Sequence, residues 1–267
     1  MARTPLDAFA LWLAPVLAGA SAAQEAQPPR PYVAVQEVQL AGPPASEFGS
    51  AVAVSGARMV VGAQRGAPGG AAYVYLRDGT TWTQEAKLAA SDGLAGDLFG
   101  ASAAIDGDLI VVGASEDDHP ALGVSFAGSA YVYERDASGW SQRAKLVASD
   151  VEWFDRFGTR VAIASGKLLV AATGDSHHGP RSGSVYVFAR QGSGWVEAQR
   201  LEPSDAATEQ HFGFSMAPAE DFVLIGGIGT FGAYEFADTG SGFVQRTKLE
   251  IPHSSIVTLG YSVARSG

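Results

Sequence analysis

Two loop segments concentrate the side chains that could do chemistry. "SEDDHPALGVSFAGS" carries Asp117, Asp118 and His119, and "TGDSHHGPRSGS" carries Asp175, His177, His178 and Arg181. Carboxylates and imidazoles are hard and borderline ligands, so one reading is a shared polar pocket or a metal site. The other is a pair of solvated loops whose Asp and Gly residues make turns. No ligand spacing here matches a known site, which favours the second reading, and no metal or cofactor is expected. A further candidate is Trp153, in "SDVEWFDRFG" beside Glu152 and Asp155, an aromatic that could contact a ligand. Catalytic signatures are missing: the chain has no G-x-S-x-G elbow, no H-E-x-x-H and no phosphate-binding glycine loop. Carboxylates from different segments could pair for glycoside chemistry, but sequence does not give their separation.

The elements that must position these side chains are repeats. The phrases "FGSAVAVSGARMVVGA" from Phe48, "FGASAAIDGDLIVVGA" from Phe99, "FGTRVAIASGKLLVAA" from Phe157 and "FGFSMAPAEDFVLIGG" from Phe212 are copies of one unit. A fifth, "LGYSVARSG", begins at Leu259. Successive starts are 51, 58, 55 and 47 residues apart, near the length of a four-stranded propeller blade. Each unit holds four runs. The "FG" run mixes small and apolar residues, and a solid apolar run such as "LIVVGA" reads as a strand buried on both faces. The third run alternates aromatics (Tyr73 and Tyr75, Tyr131 and Tyr133, Tyr186 and Phe188, Tyr234 and Phe236), and the fourth leads from an aromatic to a leucine, as from Trp140 to Leu146. The fold class expected is all-β: a propeller of four-stranded antiparallel blades, four of them complete.

Comparing the units shows where they are free to differ. The interval through the first hairpin is 14 residues in every copy, and that from the third-run Tyr to the fourth-run aromatic is always 9. Only the loop joining the second and third strands varies widely, with 11, 18, 15 and 8 residues in the four units. In an antiparallel blade that loop leaves from the same end as the connection to the next blade, so both line one face. Variable loops on a rigid scaffold are where binding resides. Residues that recur in register have a structural reading: Asp92, Asp150 and Asp205, with Asp97 and Asp155, as acceptors of backbone N–H bonds, and Trp82, Trp140 and Trp195 as packing between blades. Trp153 stands outside the register.

The "FG" openings, the "VVGA" elements and the "GSAYVY" and "AKLVASD" runs resemble FG-GAP repeat proteins, whose blades form the head of integrin α-subunits and occur in exported bacterial proteins. The resemblance covers residues 30–267 and implies the propeller, with seven blades. A ring of that number needs roughly 370 residues at the period seen, so the chain reads as a fragment of a longer propeller. The resemblance also raises calcium, which integrin-like blades hold in the loop between the first and second strands with a run of Asp and Asn side chains. Here those loops are "VSGAR", "IDGDL", "IASGK" and "PAEDF"; none has the acidic run, so the family's calcium sites are expected to be absent from these blades.

Residues 1–23 read as a secretory signal: Arg3, the apolar "AFALWLAPVLAGA" and a small-residue "ASA" ending at Ala22. Residues 24–29 are a linker and residues 30–267 the propeller, with no transmembrane segment expected after signal removal. The chain has no cysteine and a net charge of −10, which argues against nucleic acid as a partner. The localisation expected is export: secreted, periplasmic or cell-surface. The function expected is a non-catalytic interaction or adhesion-type module binding an extracellular or envelope protein, or a surface polymer, through the strand 2–3 loops. The alternative is a lectin or carbohydrate-active enzyme using the same face.

Overall fold

The computed structural model describes residues 39–228 and 232–250. The signal reading of residues 1–23, the linker 24–29, the run preceding residue 39 and the fifth repeat from Leu259 lie outside the described residues. Each repeat forms one sheet. The first holds β1 (Phe48–Ser55), β2 (Arg58–Ala63), β3 (Ala71–Asp78) and β4 (Thr81–Leu88). The second holds β5 (Phe99–Asp106), β6 (Leu109–Ala114), β7 (Ser129–Asp136) and β8 (Gly139–Leu146). The third holds β9 (Phe157–Ala164), β10 (Lys167–Ala172), β11 (Ser184–Gln191) and β12 (Gly194–Leu201). The fourth holds β13 (Ser215–Pro218), β14 (Phe222–Gly226), β15 (Gly232–Asp238) and β16 (Phe243–Glu250). In every sheet the order follows the sequence and all pairings are antiparallel, which is the blade of a β-propeller.

The core lies between blades. Val60, Val74 and Leu88 of the first sheet pack with Phe99, Ile110 and Tyr131 of the second, and Val111, Val132 and Leu146 pack likewise with Phe157, Leu168 and Tyr186 of the third. Each central strand is therefore covered on both faces, which is why its sequence is solidly apolar rather than alternating. The alternating aromatics have a partner in the opening Phe of their own unit. Phe99 meets Tyr131 and Tyr133 edge-on at 5.5 and 6.1 Å, and Phe157 meets Tyr186 and Phe188 at 5.5 and 6.0 Å.

The glycine of the "FG" pair answers two demands at once. Gly49, Gly100, Gly158 and Gly213 all have φ between 90° and 96°, a region closed to most side chains. A Cβ on Gly100 would also lie 2.3 Å from the carbonyl oxygen of Ala71, and one on Gly158 would lie 2.3 Å from that of Ser129. At β5 and β9 the first strand thus crosses the preceding blade's backbone at a distance that excludes any other residue, whereas Gly49 has open space and Gly213 meets the side chains of Ala171 and Val185. Just upstream, Phe99 N donates to Gly69 O, Phe157 N to Ala127 O and Phe212 N to Ser182 O. These bonds join each strand 2–3 loop to the following connection, so both lie on the same face, and that is where the candidate side chains sit.

Candidate functional site

The recurring aspartates come first because they hold the loops. Asp92 lies in the connection leading into the second blade, and it accepts a hydrogen bond from the Tyr131 hydroxyl at 2.9 Å and one from Lys145 Nζ at 2.7 Å. In the third blade Asp150 takes the same place, bonded to Tyr186 at 2.7 Å and paired with Arg200. In the fourth Asp205 meets Tyr234 at 2.8 Å and Lys248 at 2.6 Å. The donors are therefore a buried tyrosine and a cation of the next blade, joined at Asp92 and Asp205 by the residue's own backbone N–H. Burial raises the Asp92 carboxyl, but Lys145 and Tyr131 more than offset it and hold it below its ordinary value. Asp97 and Asp155 do accept backbone N–H bonds, from Leu94 and Glu152, each at 2.6 Å. In the fourth blade Gln210 replaces them, accepting from Ala207 N at 2.9 Å and donating to Tyr234 at 2.8 Å.

Two of the sequence candidates belong to this clamp. Asp117 and Asp175 occupy equivalent positions, both buried, and each takes the other side of its blade's tyrosine: Asp117 at 3.2 Å from Tyr131 and Asp175 at 2.7 Å from Tyr186. Lys145 also pairs with Asp117 at 2.7 Å. Burial and the flanking carboxylates push both phenols far above their ordinary range. Asp118 is exposed, and its Oδ1 accepts from Phe126 N at 2.8 Å. His119 turns inward, with Nε2 3.0 Å from Gly128 O and 3.2 Å from Ser129 Oγ. Each of these hydrogen bonds stays within the residue's own blade and shapes its loop.

What the loops share is an aromatic patch. Phe126, at the end of the second-blade loop, stacks on Phe154 of the following connection with centroids 5.3 Å apart and planes 10° apart, and Trp153 lies 6.3 Å from Phe154. Phe126, Phe154 and Trp153 are 38 %, 52 % and 57 % exposed. Trp153 and Phe154 border a cavity of about 410 Å³ whose other walls include Arg156, Thr173, Ser176, Arg181 and His211. Arg181 pairs with Glu209 at 3.2 Å, and His211 Nδ1 contacts Thr173 O at 3.0 Å. A second recess, of about 420 Å³, opens beside it and is lined by Asp150, Glu152, Asp155, Asp175, Ser176 and His177. The connection 149–158 thus sends Trp153, Phe154 and Arg156 to one recess and Glu152 and Asp155 to the other. Burial, despite the bond from Glu152 N, and the charges of Asp175, Glu152 and Asp150 push the Asp155 carboxyl up to about 6.

Backbone geometry separates scaffold from payload here. The residue three before each opening Phe has positive φ in all four units: Ala45 at 57°, Gly96 at 108°, Phe154 at 67° and Glu209 at 61°. The repeat imposes that conformation. Glycine adopts it without strain, as at Gly96, whereas a bulky residue there costs on the order of 1–2 kcal/mol. Phe154 bears that cost, as Glu209 does in the fourth unit, and leaves half its surface in water. Neither Phe126 nor Phe154 stood out in the sequence, because nothing in the repeat register marks them. Trp153 did, by falling outside that register.

Of the recurring tryptophans, Trp140 and Trp195 pack between blades as the repeat implied, whereas Trp82 packs on the first blade's own cluster. Trp140 lies against the first blade's core and donates to Glu85 at 3.3 Å, and Trp195 packs against the cluster between the second and third blades. No helix among the described residues is long and apolar enough to cross a membrane. No curated protein matches the chain. The family described as FG-GAP repeat matches residues 42–75, 82–133, 140–188 and 195–244, one segment for each of the four blades. The chain belongs to the FG-GAP repeat family.

Proposed function

We propose that the protein is an exported, non-catalytic binding module that recognises an extracellular or envelope protein through the patch of Phe126, Trp153 and Phe154 and the cavity beside it. The observation that carries this reading is Phe154, an exposed aromatic at a left-handed position. Aromatics and arginine are the residues most enriched at interface hot spots, and Arg156 and Arg181 line the same cavity. Covering a half-exposed aromatic removes on the order of 100 Å² from water, about 2.5 kcal/mol for each ring. Export rests on the signal-like residues 1–23.

A second reading keeps the site and changes the ligand. Trp153 is 57 % exposed and shares its cavity with Arg156 and Ser176, the combination of an aromatic surface and hydrogen-bonding groups that suits a sugar. The full chain and its W153A and F154G variants, tested on a glycan array and by saturation binding to isolated envelope proteins, separate the two. Saturable protein binding lost in both variants supports the first reading. Saturable sugar binding lost in W153A supports the second, and variants that bind like wild type refute both.

A further inference from the structure

We propose that His177, His178 and Glu202 form a binding site for a divalent transition metal ion of the zinc class. Their ligand atoms all lie within 4.8 Å of one another, and His178 Nε2 is 2.9 Å from Glu202 Oε2. Tetrahedral zinc with bonds of about 2.0–2.1 Å sets its ligand atoms roughly 3.3 Å apart. The cluster reaches that spacing if its widest pair closes by up to about 1.5 Å while His178 and Glu202 open slightly from 2.9 Å. Both imidazoles are exposed. Two imidazole nitrogens and one carboxylate oxygen favour zinc, nickel or copper(II) over calcium or magnesium, which prefer all-oxygen shells.

The three ligands are held from behind. Asp175 Oδ1 accepts from His177 N at 2.8 Å, and Asp175 is itself fixed by Tyr186. Ser182 Oγ accepts from His178 N at 3.2 Å and donates to Asp175 O at 3.2 Å. On Glu202, Arg200 Nε lies 3.1 Å from Oε1, leaving Oε2 turned to the imidazoles. These bonds fix the main chain from which both imidazoles project and one carboxylate oxygen of Glu202.

The repeat gives no structural reason for this set. At the positions of His177, His178 and Glu202 the second blade has His119, Pro120 and Val147, and the first has Pro68, Gly69 and Ala89. An ordinary ion pair between His178 and Glu202 would not need a second imidazole, yet His177 stands edge-on to His178 with ring centroids 4.9 Å apart. Three protein ligands leave a coordination position for water or a group from a bound partner.

The test uses the tag-free full chain, titrated with Zn²⁺ by calorimetry and with Co²⁺ by visible absorption. One equivalent of Zn²⁺ is expected at this site, with a rise in melting temperature. H177A, H178A and E202Q each weaken binding at least 10-fold and lose most of the Co²⁺ band, while H119A and H211A retain both. Melts of the metal-free variants check that each is folded. The proposal is overturned if wild type takes up no Zn²⁺, if the three variants bind like wild type, or if H119A or H211A abolishes uptake. The patch variants W153A and F154G retain Zn²⁺ binding, so failure of the proposed protein recognition and failure of this site are distinguishable.

Discussion

The hydroxyl of Tyr186 lies 2.7 Å from a carboxylate oxygen of Asp150 and 2.7 Å from one of Asp175. Asp150 comes from the connection leading into the blade and Asp175 from the blade's own loop, so one phenol proton ties a blade, its loop and its neighbour together. The second blade repeats the contact around Tyr131, with Lys145 reaching both carboxylates at 2.7 Å. In the third blade the cation, Arg200, goes to Asp150 and Glu202 instead.

That difference makes the two clamps unequal. Y186F leaves buried Asp175 without its side-chain donor, and removal of a partner from a buried acceptor costs about 1–3 kcal/mol. Y131F leaves Lys145 on Asp117, so its cost is smaller, about 1 kcal/mol. Urea unfolding midpoints of the two variants check the order, and a larger loss for Y131F would contradict it.

Asp155 makes the fold more stable as the pH falls below neutral. Its folded pKa of about 6 lies above the ordinary carboxylate value, so between about pH 6.5 and 4 the native state binds more protons than the unfolded state and stability rises on acidification. At about 1.4 kcal/mol per unit, the gain is at most about 3 kcal/mol. Asp92, Asp205 and Glu85 are held below their ordinary values. Their contribution is present above about pH 4 and is lost below it, with the opposite sign. D155N keeps the acceptor for Glu152 N and removes the charge. The stability difference between D155N and wild type should therefore favour the variant at pH 7.5, shrink as the pH falls through 6, and approach zero only below about pH 3.5, as followed by thermal melts across that range.

F154G should separate stability from binding. Glycine relieves the positive φ at this position and gives up the stack on Phe126, so the melting temperature stays level or rises by the equivalent of up to about 1 kcal/mol. Ligand affinity falls by about 2 kcal/mol, roughly 30-fold, as expected of an interface anchor. A variant that loses stability and binding in proportion would show that Phe154 is a packing residue.

The glycine of the "VVGA" element is fixed by its neighbour's backbone. A Cβ on Gly113 would lie 2.0 Å from Gly158 O and 2.4 Å from Ser102 Oγ, whereas one on Gly107, in the β5–β6 turn, would meet nothing within 4 Å. G113A should cost about 3 kcal/mol through displacement of the next blade. G107A should cost about 1 kcal/mol, for its positive φ alone. Calorimetric melts of the two variants provide the comparison.

The architecture was legible because its signals are local and repeated. Val111, Val112 and their neighbours declare a strand covered on both faces, and the constant intervals around Phe99 and Tyr131 declare hairpins whose turns cannot vary. The variable-loop face followed from the same intervals. The site was less legible because its contacts join residues far apart in sequence. Asp92 meets Tyr131 39 residues on, and Glu202 meets His178 across 24. Phe154 looks like an ordinary connection residue until its dihedral angle is known. The partners of the candidate loop residues were likewise out of reach: residue type marks Asp117 and Asp175, but not that each accepts from its blade's tyrosine.

Because the connections carry the same left-handed backbone whether the residue is alanine, glycine, phenylalanine or glutamate, each works as a socket whose contents can be exchanged without moving the frame. A repertoire of binding faces could be made from this one chain by varying positions 126, 153, 154 and 181 alone. The blades would keep their register while the surface they present changed.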